Sequence, residues 1–91
     1  DTINGGDGAD TLTGGNGTDT FVFTNPSVAT TDTITDFNTS NEKIDLSSFN
    51  TSFNQLTITT VSGHAEVIVG NESIDLLGVS AASLSSNDFI F

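Results

Sequence analysis

Asp-Thr-apolar recurs three times at a spacing of nine, as Asp1-Thr2-Ile3, Asp10-Thr11-Leu12 and Asp19-Thr20-Phe21. Glycines keep the same step: Gly5 with Gly14, Gly6 with Gly15, Gly8 with Gly17. Written by nines, the chain begins "DTIN", "GGDGADTLT", "GGNGTDTFV". A repeat this short holds one tight bend and one brief strand. It cannot bury an apolar face alone and must stack on its own copies. The bend needs glycine, which reaches positive φ without a Cβ clash. In the strand, Ile3, Leu12 or Phe21 points inward while its neighbours point out. A flexible glycine linker would not hold Leu12 and Phe21 in such a register.

Stacking raises an electrostatic problem. Adjacent bends lie about 4.8 Å apart, so the aspartate row and the loop carbonyls converge. The 91-residue chain carries twelve Asp and Glu against one Lys, for a net charge of −11. Carboxylates at such spacing repel. A hard divalent cation removes the conflict. Calcium accepts about six to eight oxygens in flexible geometry, whereas magnesium demands a near-ideal octahedron. There is no cysteine, so a disulfide cannot staple this small domain and a metal is the natural substitute. The same charge excludes nucleic acid and anionic membrane as partners, since both call for basic residues. No stretch is apolar enough to span a bilayer as a helix. Seven Phe and 34% hydrophobic residues argue for a folded domain over a disordered acidic tail.

Beyond Phe23 the glycine register stops. Asn25-Pro26 marks a turn. "EKIDL" places Ile44 and Leu46 on one face, "QLTITTV" Leu56 and Ile58, "AEVIV" Ala65, Val67 and Val69, and "SIDLL" Ile74 and Leu76, all with strand periodicity. Ser62-Gly63-His64 and Gly70-Asn71 read as hairpin turns. "VSAASLSSND" admits one short helical turn with Ser80 as its cap, and "DFIF" closes the sequence as a strand. The seven phenylalanines read as core. Terminal units of a solenoid differ from the repeats because they must close the exposed end.

The two full units fit the RTX, or haemolysin-type, calcium-binding nonapeptide GGxGxDxUx at every fixed position. "DTFVF", "DTITDF", "EKIDLSSF" and "SLSSNDFIF" in turn resemble the C-terminal region of secreted RTX proteins, such as serralysin-type proteases and alginate epimerase modules. This resemblance implies an all-β fold, a short parallel β-roll over residues 1–23 continuing into a capping β-sheet or sandwich over 24–91. Successive units would lie on opposite sides of the roll, with calcium between loops two repeats apart. Carried over by position, the ligand loops contain Asp1, Gly5, Gly6, Asp7, Gly8, Asp10, Gly14, Gly15, Gly17 and Asp19. Asp19 would pair with Asp1. The loop Gly5–Asp10 would pair with the segment after Phe23, where "TNPSVA" lacks the motif and Asp32 or Asn25 completes the site. Asp32 and Asp36 each stand evenly between ligand and surface acid. The resemblance also implies a piece of a longer secreted, extracellular protein, with Asp88-Phe89-Ile90-Phe91 matching a type I secretion signal read by its exporter.

Chemistry beyond ion binding finds little support. His64 is the sole histidine and its turn setting predicts solvent exposure. No G-x-S-x-G elbow occurs. Asp45 and Asp75 alternate with inward apolar neighbours and read as solvated surface acids. An ice-type threonine ladder fails on size, because Thr2 and Thr20 share one sheet and Thr11 lies on the other. The expectation is a non-catalytic calcium module, with an accessory module of a larger secreted metalloprotease, epimerase or adhesin as the alternative.

Overall fold

The computed structural model describes residues 2–4, 8–15, 17–24, 28–39 and 41–91. Nine strands follow one another among them: β1 (Thr2–Asn4), β2 (Thr11–Leu12), β3 (Thr20–Val22), β4 (Thr30–Ile34), β5 (Lys43–Asp45), β6 (Thr57–Val61), β7 (His64–Val69), β8 (Glu72–Leu76) and β9 (Phe89–Ile90). Short 3₁₀ turns lie between β5 and β6 and between β8 and β9, and no helix among the described residues is long and apolar enough to cross a membrane. The fold is all-β: a parallel roll that runs into a hairpin-closed sheet.

The nonapeptide step sorts the strands alternately into two sheets. β1, β3, β5 and β9 form one sheet in that order, parallel throughout. The second sheet has the order β2-β4-β8-β7-β6. Its β2-β4-β8 portion is parallel, and β8-β7-β6 is an antiparallel meander. The turns at Ser62-Gly63 and Gly70-Asn71 make these hairpins, at the places where the sequence puts them. Ser62 takes φ 53° and Gly63 φ 83°, the paired left-handed conformation that a tight two-residue hairpin turn requires.

Register turns the sequence repeat into a core. In the first sheet Ile3, Phe21, Ile44 and Phe89 lie side by side. In the second, Leu12, Ile34, Leu76 and Ala65 do the same. Phe21, Ile34, Ile44 and Leu76 are wholly buried, within one apolar cluster. Burying each such side chain contributes about 1.5–3 kcal/mol, and these rows hold the two sheets together.

Several side chains depart from the sequence expectation. Phe21, Phe23, Phe37 and Phe89 are buried and Phe49 and Phe53 pack against the core, but Phe91 is exposed and stacks on Phe89 at 5.9 Å between ring centroids. His64 is not a solvated turn residue. It opens β7, half-buried, with Nε2 3.8 Å from Asp75 Oδ2. Asp75 and Asp45 are half-buried rather than freely solvated, and Asp45 Oδ1 accepts a hydrogen bond from the Ser47 amide at 2.9 Å. Ser80 precedes a 3₁₀ turn as its cap residue, but its hydroxyl bonds to Ser83 Oγ and not to the backbone. Thr2 pairs with Thr20, and Thr11 lies in the other sheet, as the half-turn step requires.

Candidate metal centre

Each sheet gathers its acids at the N-terminal ends of its parallel strands. On the first sheet the Lys43 amide donates to the Asp19 carbonyl at 3.2 Å. This ladder bond sets Glu42 beside Asp19, one residue ahead of the paired strands β3 and β5. Both side chains are buried, at 1% and 2% exposure. Their carboxyl groups are hydrogen-bonded to one another, and burial followed by this contact and the Asp19 charge pushes the Glu42 pKa up. Glu42 Oε1 also accepts the Asn38 amide at 3.0 Å, which works in the opposite direction.

The approaching bend is shaped around these acids. A Cβ on Gly14 would stand 2.5 Å from Asp19 Oδ2 and 3.0 Å from Phe21 Cζ, so only glycine fits there. Gly17 takes φ 94° and Gly8 φ 86°, in the region that glycine alone occupies without strain. Asp36 clasps the same bend: its Oδ1 accepts the Gly14 amide at 2.9 Å and its Oδ2 the Gly15 amide at 2.8 Å. The Asp36 carboxylate thus occupies a small anion nest made by consecutive glycine amides.

The second sheet repeats the theme. The Thr33 amide donates to the Asp10 carbonyl at 2.9 Å, and Asp32 Oδ1 accepts the Asp10 amide at 2.7 Å. Asp32 is 2% exposed, and Glu72, at the start of β8, is 3% exposed. Burial, then the hydrogen bond with Asp32 and the charges of Asp32 and Asp10, push the Glu72 pKa up to about 8. Asp10 Oδ2 and Glu72 Oε2 are buried and no hydrogen-bond donor reaches them.

Two carboxyls in contact out of water do not both ionise: they share a proton, or a cation lies between them. No basic side chain among the described residues acts on Glu72, and the chain's one lysine, Lys43, donates to the Asn87 carbonyl. Every donor offered is a hard oxygen, and the buried oxygens of Asp10 and Glu72 lack any partner, so the donor set fits calcium. Among the described residues no three acidic or histidine side chains close on one point.

Of the residues the sequence singles out, the structure brings Asp10 to Asp32 and Gly14 to Asp19. Gly8, Gly15 and Gly17 lie in the bends with positive φ. Asp1, Gly5, Gly6, Asp7 and Asn25 lie outside the described residues. Asp88 is buried and its Oδ2 accepts the Ser85 amide at 2.9 Å; Phe89 is core, while Ile90 and Phe91 are exposed. Sequence reasoning missed Glu42 and Glu72. The first was legible, because "EKI" at 42–44 repeats the acid-x-apolar register of "DTF" at 19–21. The second carries no such signal.

Comparison with known proteins agrees with this geometry. No curated protein and no solved structure matches the chain significantly. The family model for the peptidase M10 serralysin C-terminal region matches residues 1–90. With two alternating sheets, glycine bends and acid rows on the page, that match leads to one statement: the chain belongs to the serralysin C-terminal family of RTX-repeat domains.

Proposed function

We propose that the chain is a non-catalytic calcium-binding module that folds fully only when calcium fills the bends of its roll, outside the cell. The observation that carries this reading is the presence of buried acid pairs, Asp19 with Glu42 and Asp32 with Glu72, in a chain with twelve acids and one lysine. Asp10, Asp19 and Asp32, with the loops holding Gly8, Gly14, Gly15 and Gly17, would hold the ions, and Asp1, Gly5, Gly6 and Asp7 belong to the same motif. Residues 1–23 would then carry the nonapeptide repeats and 24–91 the cap, which lends Asp32 to the ions. Bound calcium supplies the positive charge that lets the acids stay ionised out of water, so binding free energy becomes folding free energy. Extracellular calcium modules work at about 10⁻⁴–10⁻³ M. The cytosol would leave such sites empty and the exterior would fill them.

Membership in a peptidase family supports the wider setting, an accessory C-terminal module of a secreted metalloprotease. Asp88, Phe89, Ile90 and Phe91 would serve a type I exporter before folding, because Asp88 and Phe89 are buried once the chain has folded. Circular dichroism with thermal melts, in chelator and in millimolar calcium, tests the core of the proposal. Calcium should raise the melting temperature and increase the β signal. An unchanged spectrum and midpoint would end the proposal.

A further inference from the structure

We propose that the open edge of the second sheet, strand β6, is a docking site for an extended peptide segment that carries basic residues and is taken up as a sixth strand. Such a site stands apart from the calcium reading, because β6 lies at the far side of the sheet from the repeat strand β2.

Among the described residues β6 is outermost in its sheet, and β7 alone pairs with it. The pairing runs without a bulge from Thr57 against Ile68 to Val61 against His64. The Ala65 amide donates to the Val79 carbonyl, on the side of β7 away from β6. Alternation along an antiparallel ladder then turns His64, Glu66 and Ile68 toward β6. Their partners Val61, Thr59 and Thr57 spend their main-chain groups on β7, whereas Ile58 and Thr60 turn theirs outward. Ile58 is half-buried and the other four residues of the strand are exposed, so this row is open to solvent. Edge strands are usually blunted by lysine, proline, a bulge or a very short length. β6 is five residues long and has none of these devices.

Charge selects the occupant. Thr59 stands opposite Glu66, and Glu66 opposite Asp75, along one row of the outer face. The two carboxyls are hydrogen-bonded to each other, and Asp75 Oδ1 is buried without a donor. His64 is the one basic group among the described residues that acts on Glu66, and Lys43 lies in the other sheet. A strand added to β6 sets one residue beside Thr59 on that face, about 9–10 Å from the Glu66 backbone at two strand spacings. Thr59 is short, so a Lys or Arg at that place reaches over it to Glu66. The residues on either side of it turn to the inner face, beside Thr60 and Ile58, and Ile58 packs against the core. The segment that fits is therefore apolar-basic-apolar with strand alternation. A second copy offers no basic residue in β6 and brings a further −11 charges. The surface field repels it and draws a cationic chain.

Titration of the isotope-labelled 91-residue chain with a capped peptide of alternating Val and Lys, in millimolar calcium and physiological salt, tests the assignment by NMR and fluorescence anisotropy. Amide shifts should centre on Ile58 and Thr60, and hydrogen exchange at both should slow. The same peptide with Glu in place of Lys should bind roughly tenfold more weakly or not at all. N-methylation of the peptide amides that face β6 keeps its charge and removes the ladder bonds, and should abolish binding. Proline is tolerated where a strand amide faces solvent, so Thr60→Pro should keep the circular dichroism of the wild type and weaken binding roughly tenfold. Glu66→Gln should weaken it by roughly two- to fivefold. Equal affinity for the N-methylated peptide would reduce the effect to loose attraction between opposite charges and overturn the inference. Shifts centred away from β6, or no binding, would overturn it too. A wild-type dimer in sedimentation without peptide, dissolved by Thr60→Pro, would give the edge to a second copy and likewise overturn it.

Discussion

The two acidic edges resemble each other in composition and differ in origin. On the first sheet, Asp19 and Glu42 occupy equivalent places in successive parallel strands, so their contact follows from the repeat. On the second, Asp10 and Asp32 obey the same rule, but Glu72 arrives from the antiparallel meander. One edge is therefore written by a local rule. The other needs the chain to fold back from forty residues downstream of Asp32. The difference teaches that roll and cap are not stacked independently: each edge borrows an acid from a later part of the chain.

The comparison breaks most severely at the core row shared by roll and cap. Phe21→Ala should cost about 3–5 kcal/mol in chelator and in calcium alike, measured by denaturant unfolding, because Phe21 is fully buried between Ile3 and Ile44. Gly14→Ala strikes the first edge alone. Its new methyl must displace Asp19 or Phe21, which should cost about 1–3 kcal/mol, and most of the calcium response should go with it. Asp19→Asn sharpens the distinction further: calcium affinity should fall roughly tenfold, while the melting temperature in chelator stays near wild type. Equal destabilisation in both conditions would count against a ligand role.

The second edge also responds to pH. In chelator the folded pKa of Glu72 stands near 8 against an ordinary value of 4.5. A raised pKa means that the folded state holds the proton more tightly. The stability contributed is fully present below about pH 4.5 and is lost as pH rises through about 8. Chelated wild type should thus lose stability across that window, and Glu72→Gln should flatten this part of the curve. The smallest effect concerns the outer face of the meander. Glu66 stands directly across from Asp75 and their hydrogen bond, with burial and the Asp75 charge, raises its pKa. Glu66→Gln should stabilise by about 0.2–1 kcal/mol, seen as a slight rise in midpoint at neutral pH.

The sequence disclosed the parts of this molecule that are periodic. The step of nine led to alternating sheets, and the inward places of Ile3, Leu12 and Phe21 followed from strand alternation. The Gly63 and Gly70 turns were legible because a two-residue reversal restricts its residue types so tightly. Asp32 was singled out because its "DTITDF" setting resembles the family's, whereas Glu42 was overlooked because the acid had changed from Asp to Glu and the glycines before it were gone. Glu72 and the half-buried His64 were out of reach. Their environments are set by strand pairing between distant segments, and no local pattern encodes that β8 pairs with β4 and β7 with β8.

β6 closes the second sheet at its outer end, and its sequence from Thr57 to Val61 carries no charge. A bare edge of that kind is a template for adding another strand. The mutual repulsion of molecules bearing −11 charges is the obstacle to such pairing. On the proposed calcium reading, each divalent ion taken up would erode that repulsion, so the condition proposed to complete the fold would also lower the barrier to clumping between copies, and colloidal stability should be poorest where calcium and salt are high.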